Sequence, residues 1–216
     1  MSNKLIIGIT QRVNKTESYD ESRDALDQRL IDWVVEAGFI PIPIPNTLIN
    51  LDSSINNQPT LDNWIQTLQI DAIILSGGNN IGEIPKRDLT ENFLLSWSEK
   101  NKKPVFGICR GMQMMGVYAG GKLIEVDGHV KTLHHLQVVG NNKQIFPKLV
   151  NSYHNQALYE CPSAFNVLAK SEDGSIEAMV HKSLPWEAWM WHPEREVVFF
   201  KNDIDRFKKI ILNEKR

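Results

Sequence analysis

Val105-Phe106-Gly107-Ile108-Cys109-Arg110-Gly111-Met112-Gln113 is the stretch on which the fold turns. Pro104 to Ile108 is apolar without alternation, the pattern of a strand buried on both faces. Gly111 to Ala119 reads as a helix that starts directly after it. Between them lies Gly-x-Cys-x-Gly, the thiol form of a strand–nucleophile–helix turn. Such a tight turn forces its central residue into a strained backbone and leaves no room for side chains two positions away, so Gly107 and Gly111 suit it. It lifts the Cys109 sulfur above the strand end, where open α/β sheets bind ligands. The helix N-terminus then favours a thiolate, and its first N–H groups can hold an oxyanion.

Outward from this turn, the same alternation recurs. Leu5 to Ile9 and Ile70 to Leu75 are further buried strands, and residues 23–37, 61–68 and 88–100 carry helical patterns. Phe39 to Pro45 holds three prolines, so it must be extended and suits a sheet edge. Asn46 to Pro59 is polar and reads as a surface loop. Strands alternating with helices predict a mostly parallel central sheet flanked by helices, an α/β fold. The C-terminal half differs. Residues 122–126, 135–139, 166–170, 176–181 and 187–191 are short strand candidates with little helix between them, which predicts a smaller antiparallel extension. Val198 to Lys201 reads as a last strand, and Ile204, Phe207, Ile210 and Ile211 mark a terminal helix. No repeat or linker interrupts the pattern, so residues 1–216 are expected to form a single domain.

Composition narrows the function classes. A formal net charge of −2 gives no general electrostatic reason to bind nucleic acid or an anionic membrane. Cys109 and Cys161 are too few for a disulfide framework or a four-cysteine zinc site. The run Leu5 to Ile9 is too short for a signal-peptide core or a membrane span. The expectation is a cytoplasmic protein, in a compartment that keeps a thiol reduced.

A cysteine nucleophile needs a base and a group to orient it. Among six histidines, His192 stands in Trp191-His192-Pro193-Glu194 after an aromatic-rich strand. Residues two apart in extended chain point the same way, so Glu194 can hold the His192 ring. Taken alone the segment reads equally as a surface turn; with the elbow it makes a Cys109–His192–Glu194 triad. The pair Gly77-Gly78 after the second buried strand is either a flexible turn or a backbone approach that completes an oxyanion hole with the Arg110 N–H. Arg87 pairs as readily with Glu91 across one helical turn as with a ligand.

These three motifs in this order resemble the class I glutamine amidotransferase superfamily, whose nucleophile signature matches residues 107–113 and whose distal signature matches residues 191–194. Gly8 to Arg12, Arg87-Asp88 with Glu91, and Asn151 to Gln156 look like its stand-alone γ-glutamyl hydrolase branch. The resemblance implies a flavodoxin-like sheet and an enzyme without metal or organic cofactor. It implies that Cys109 attacks a γ-glutamyl amide carbon, His192 shuttles the proton and Glu194 orients His192. Gly78 and Arg110 would supply oxyanion N–H groups, and Gln113, Ser152, Tyr153 and His154 would hold the glutamyl amino and carboxylate groups. For His154 a second reading stands, a satisfied polar residue beside the pocket.

The branch's γ-glutamyl-GABA hydrolases usually carry Asp where Asn80 stands, and they are longer than this chain. The compact form is more similar to the γ-glutamyl-CDP-amidate hydrolases of bacterial capsule biosynthesis. The implied partner is then a small γ-glutamyl substrate linked to a nucleotide. His129 to His135 would face its pyrophosphate, or else form a solvated polar hairpin. The remaining alternative is a glutaminase subunit that delivers ammonia to a synthase.

Overall fold

The computed structural model describes residues 4–55, 57–140 and 146–214. Its elements are β1 (Ile6–Thr10), β2 (Arg12–Thr16), β3 (Glu21–Ala25), α1 (Gln28–Glu36), β4 (Ile40–Ile44), α2 (Pro59–Thr67), β5 (Ala72–Leu75), α3 (Pro85–Asn101), β6 (Val105–Ile108) and α4 (Arg110–Tyr118). There follow β7 (Leu123–Glu125), β8 (Val130–His135), β9 (Gln137–Val138), β10 (Leu149–Tyr153), β11 (Gln156–Leu158), β12 (Phe165–Lys170), β13 (Ile176–His181), β14 (Trp186–Trp189) and α5 (Lys201–Ile211).

The central sheet has the order β4-β1-β5-β6-β14-β13-β12-β9. From β4 to β14 every pairing is parallel, and from β14 to β9 every pairing is antiparallel. The expected parallel sheet with an antiparallel extension is therefore one continuous sheet. The chain reverses direction across the sheet between β1 and β5, so the crevice at their C-terminal ends is the place where such sheets bind ligands.

The proline-rich segment is indeed an edge strand. Ile40 N donates to Leu5 O at 3.0 Å, so the intervening Pro41 and Pro43 turn their missing donors to the open side. Asp27 caps α1 by accepting from Arg29 N at 3.0 Å, and the helix buries Leu30, Trp33 and Val34. Trp33 packs on Phe207 of α5 at 4.4 Å between centroids, and Phe106 of β6 meets Trp189 of β14 edge-on at 4.8 Å. Phe106 also packs on Trp33 at 5.9 Å and on Phe207 at 5.2 Å, which fastens α1 and α5 to the strands that carry the candidate site.

Three sequence expectations differ from the structure. Residues 23–25 do not start the first helix; they close the β2–β3 ribbon, a polar hairpin with no apolar period to reveal it. Val198 to Lys201 forms no strand, because Val197 and Val198 are exposed and Lys201 opens α5. The strand read at residues 135–139 is two pieces: β8 pairs with β10 while β9 joins the central sheet. Among the described residues, no helix is long and apolar enough to cross a membrane.

Candidate active site

Cys109 sits between β6 and α4 with φ 52° and ψ −105°, a conformation that side chains avoid. The surroundings fix it there. Cys109 N donates to Trp189 O at 2.8 Å, and its carbonyl accepts from Met112 N and Gln113 N in the first turn of α4. A Cβ on Gly107 would lie 2.8 Å from Gly111 C, and one on Gly111 would lie 2.1 Å from Leu75 O. The flanking glycines are thus required by close backbone contact on both sides. As the first residue of α4, Arg110 presents an N–H that has no partner within the helix.

His192 meets this elbow from the end of β14. Its Nδ1 lies 2.6 Å from Glu194 Oε1, and its ring also hydrogen-bonds the Cys109 side chain. Both His192 and Glu194 are buried. Burial by itself would lower the His192 pKa. The negative charges of Glu194 and Cys109 outweigh it, and the pKa is pushed up to about 9. The three residues expected to form a triad therefore stand together.

The Gly77-Gly78 loop closes over them. A Cβ on Gly77 would come within 2.7 Å of His192 Cε1 and 3.7 Å of Cys109 Cβ. Gly78, at φ 92°, lies instead against the Arg12 side chain. The loop is anchored by Arg87, whose guanidinium donates to Ser76 O at 2.7 Å, Gly77 O at 3.1 Å and Gly78 O at 2.5 Å. Arg87 also pairs with Glu91 at 3.0 Å, and neither side chain has any exposure. So Arg87 does more than either sequence reading gave it: it holds the loop and Glu91 at once.

Glu91 additionally accepts from Thr10 Oγ1 at 2.8 Å and from the Arg110 guanidinium, which also pairs with Asp88. Burial works against the Glu91 carboxylate, but Arg110 and Arg87 beside it hold its pKa below the ordinary value. This buried network ties β1, α3, the glycine loop and the elbow into one unit. Removing one charge would strand the others, which is costly in a low-dielectric interior.

The other expected residues take varied places. Tyr153 sets its ring edge against His192 at 5.8 Å between centroids, and Arg195 stacks on the same ring at 4.4 Å. Gln113 Nε2 donates to Gln156 O at 2.8 Å, and Ser152 Oγ donates to His129 O at 2.7 Å. His154 points its ring at His129 and Glu177, and its Nδ1 lies 3.1 Å from Gln156 O. His129 and His134 turn inward too, their rings 4.2 Å apart, and His129 is only 2% exposed. These two histidines face Glu177, while Val130, Lys131, Leu133 and His135 of the same segment are exposed.

Three contributors were given no individual role by the sequence, although Asn151 and Arg12 lie in stretches that carry the resemblance. Asn151 Nδ2 donates to His192 O at 2.8 Å while its Oδ1 accepts from His192 N at 3.0 Å. Arg29 Nε, at the start of α1, donates to Glu194 O at 2.9 Å. Arg12, Ser76, Gly77, His192, Glu194 and Arg195 line a narrow cleft beside the triad. Arg12 Nε is buried there without a hydrogen-bond partner among the described residues.

Comparison with known proteins agrees with this architecture. Residues 5–194 match the Peptidase C26 family, and the chain belongs to that family, within the class I glutamine amidotransferases. It is a cysteine-type hydrolase acting on carbon–nitrogen bonds. It is 31% identical over 206 residues to a γ-glutamyl-CDP-amidate hydrolase of Campylobacter jejuni, covering 89% of this chain and 91% of that one. A γ-glutamyl-γ-aminobutyrate hydrolase of Escherichia coli O157:H7 is 25% identical, covering 89% of this chain and 86% of that one. In fold, the chain is similar to a candidate GMP synthase subunit from Thermoplasma acidophilum. The TM-score is 0.71 at 21% identity, over 99% of this chain and 96% of that one.

Proposed function

We propose that this protein hydrolyses a γ-glutamyl amide-type bond through a Cys109 γ-glutamyl thioester. The observation that carries the reading is His192, bonded to Glu194 through Nδ1 and to the Cys109 thiol on a strained elbow at a helix N-terminus. His192 already holds the proton of the thiol–imidazole pair, as its raised pKa requires, and the sulfur attacks the γ-carbonyl carbon. The carbonyl oxygen becomes an oxyanion facing the backbone N–H groups of Arg110 and Gly78. As the carbon–nitrogen bond breaks, His192 returns the proton to the leaving nitrogen. Water then gives a proton to His192 and attacks the thioester, which frees glutamate and restores the thiol. Glu194 keeps the ring oriented and stabilises its charged form. Tyr153 and Arg12 stand nearest the triad for substrate contact, Arg12 as a cation for a carboxylate or phosphate.

The preferred substrate is γ-glutamyl-CDP-amidate, giving cytidine diphosphoramidate for capsule modification. The 31% identity over nearly the full Campylobacter jejuni hydrolase supports it above the γ-glutamyl-γ-aminobutyrate reading. The test compares kcat/KM on γ-glutamyl-CDP-amidate, γ-glutamyl-γ-aminobutyrate and glutamine. A preference for the first supports the assignment. A preference for the second refutes it, and turnover of glutamine that depends on an added synthase refutes the stand-alone role.

A further inference from the structure

Away from Cys109, three imidazoles and one carboxylate converge. His129 precedes β8, His134 lies on it, His154 follows β10, and Glu177 comes from β13. One nitrogen or oxygen from each lies within 4.8 Å of all the others. Glu177 Oε1 stands 3.7 Å from His154 Nε2 and 3.9 Å from His129 Nδ1. Glu177 has no exposure, and His129 and His154 are exposed by only 2% and 3%. Yet His129 Nδ1, His134 Nε2, His154 Nε2 and both Glu177 oxygens have no hydrogen-bond partner among the described residues.

Five orphaned polar atoms around one point are far from the norm for a protein interior. An unpartnered buried carboxylate needs a cation. A proton on one imidazole would satisfy a single pair and leave two ring nitrogens unpartnered. A metal ion would satisfy all four side chains together. Ligand atoms about 2.0–2.1 Å from a tetrahedral ion stand about 3.3 Å apart. The two carboxylate–imidazole separations, 3.7 and 3.9 Å, need to close by about 0.4 and 0.6 Å, and no other pair by more than about 1.5 Å, to reach that spacing. The outer ring nitrogens are already held as metal-binding histidines require: His129 Nε2 by Asp173 at 2.8 Å, and His154 Nδ1 by Gln156 O at 3.1 Å. Glu177 and Asp173 together balance a divalent charge.

We propose that His129, His134, His154 and Glu177 form a closed structural site for a first-row divalent metal, Zn²⁺ by its ligand set. The ion would fasten the β8–β10 ribbon to β13. That ribbon carries Asn151 and Tyr153, which hold His192, so the site is a positioning device for the candidate triad. The proposal departs from the sequence expectation of no metal, because the members of the cluster lie far apart in the chain. The site stands independently of the proposed reaction; only its effect on turnover rests on that reading.

The test is metal analysis of the purified full chain, followed by titration of the metal-free chain with Zn²⁺ against a chelating dye. Metal-free chain loaded with Co²⁺ reports geometry through its visible bands. We expect one bound equivalent, tetrahedral Co²⁺ bands displaced by Zn²⁺, and a higher Tm in the metal-loaded protein. Cys109→Ala should keep the full equivalent, which separates this site from the thiol. His154→Ala should lose it. His134→Asn changes the most exposed of the four ligands and so disturbs the fold least; it should retain the near-UV spectrum and weaken metal binding at least tenfold. Binding as tight in folded His134→Asn as in the parent would overturn the proposal. So would a parent chain that binds no metal, with the histidines titrating as a buried proton-sharing cluster.

Discussion

Asn151 holds the backbone of His192 from both sides, donating to its carbonyl at 2.8 Å and accepting from its N–H at 3.0 Å. The same side chain donates to Glu196 Oε1 at 2.7 Å, so it is itself fixed. Under the proposed mechanism this grip sets the distance from the imidazole to the thiol. Asn151→Ala should lower kcat about 10- to 100-fold with KM little changed, since small misplacements of reacting groups cost that much. Steady-state kinetics on the γ-glutamyl substrate checks this. The pH dependence of Cys109 alkylation should change as well, because the imidazole no longer stabilises the thiolate.

Cys109→Ala should abolish hydrolysis while the protein stays folded, since only a sulfur is removed from a backbone that glycines and Trp189 already hold. His192→Asn should lower kcat by roughly 10⁶-fold, the scale for losing a triad base. Glu194→Gln should cost less, because an amide oxygen still accepts from the ring. Turnover in purified Cys109→Ala, or parent rates in His192→Asn, would contradict the mechanism.

Two buried groups give opposite reasons for pH-dependent stability. The His192 pKa is raised to about 9 in the fold, where Glu194 and Cys109 outweigh burial. Its contribution is complete below the unfolded value of about 6.5 and is lost as pH rises to about 9. Burial raises the Asp203 carboxyl to about 7, with Glu196 adding to the effect and Arg206 opposing it. Stability is therefore lost as pH rises from about 4 to about 7, while Asp203 is forced to ionise in place. Tm measured across pH should fall through both windows. Asp203→Asn should flatten the lower one, and His192→Asn the upper.

Gly111→Ala should be severe. The added Cβ meets Leu75 O at 2.1 Å, a backbone atom at the end of β5 that cannot swing aside. Loss of stability of at least about 1–3 kcal/mol is expected from such overpacking, read from the denaturant midpoint. Gly120→Ala is the control: its Cβ meets nothing within 4 Å, and only its φ of 86° opposes the change.

The legible parts of the fold are those with a repeating local signal. Leu5 to Ile9, Ile70 to Leu75 and Val105 to Ile108 announce themselves by unbroken apolar runs, and Pro41 with Pro43 announces an edge. The β2–β3 ribbon stays hidden because Arg12 to Ala25 is polar on both faces and buries no stripe. Strands β10 and β11 escape a sequence reading for a related reason: each is short and pairs only with one partner outside the central sheet.

By itself, the sequence determined the elbow and named Cys109, His192 and Glu194. Their constraints are local: glycine two residues either side of a strained turn, and a carboxylate two residues from an imidazole. The tertiary structure alone decided what holds them. Asn151 reaches His192 across 41 residues, Glu91 reaches Thr10 across 81, and Arg29 reaches Glu194 across 165. It alone gathered His129, His134, His154 and Glu177 around one point. Such contacts follow from strand order and register, which place distant residues side by side, and no spacing along the chain encodes them.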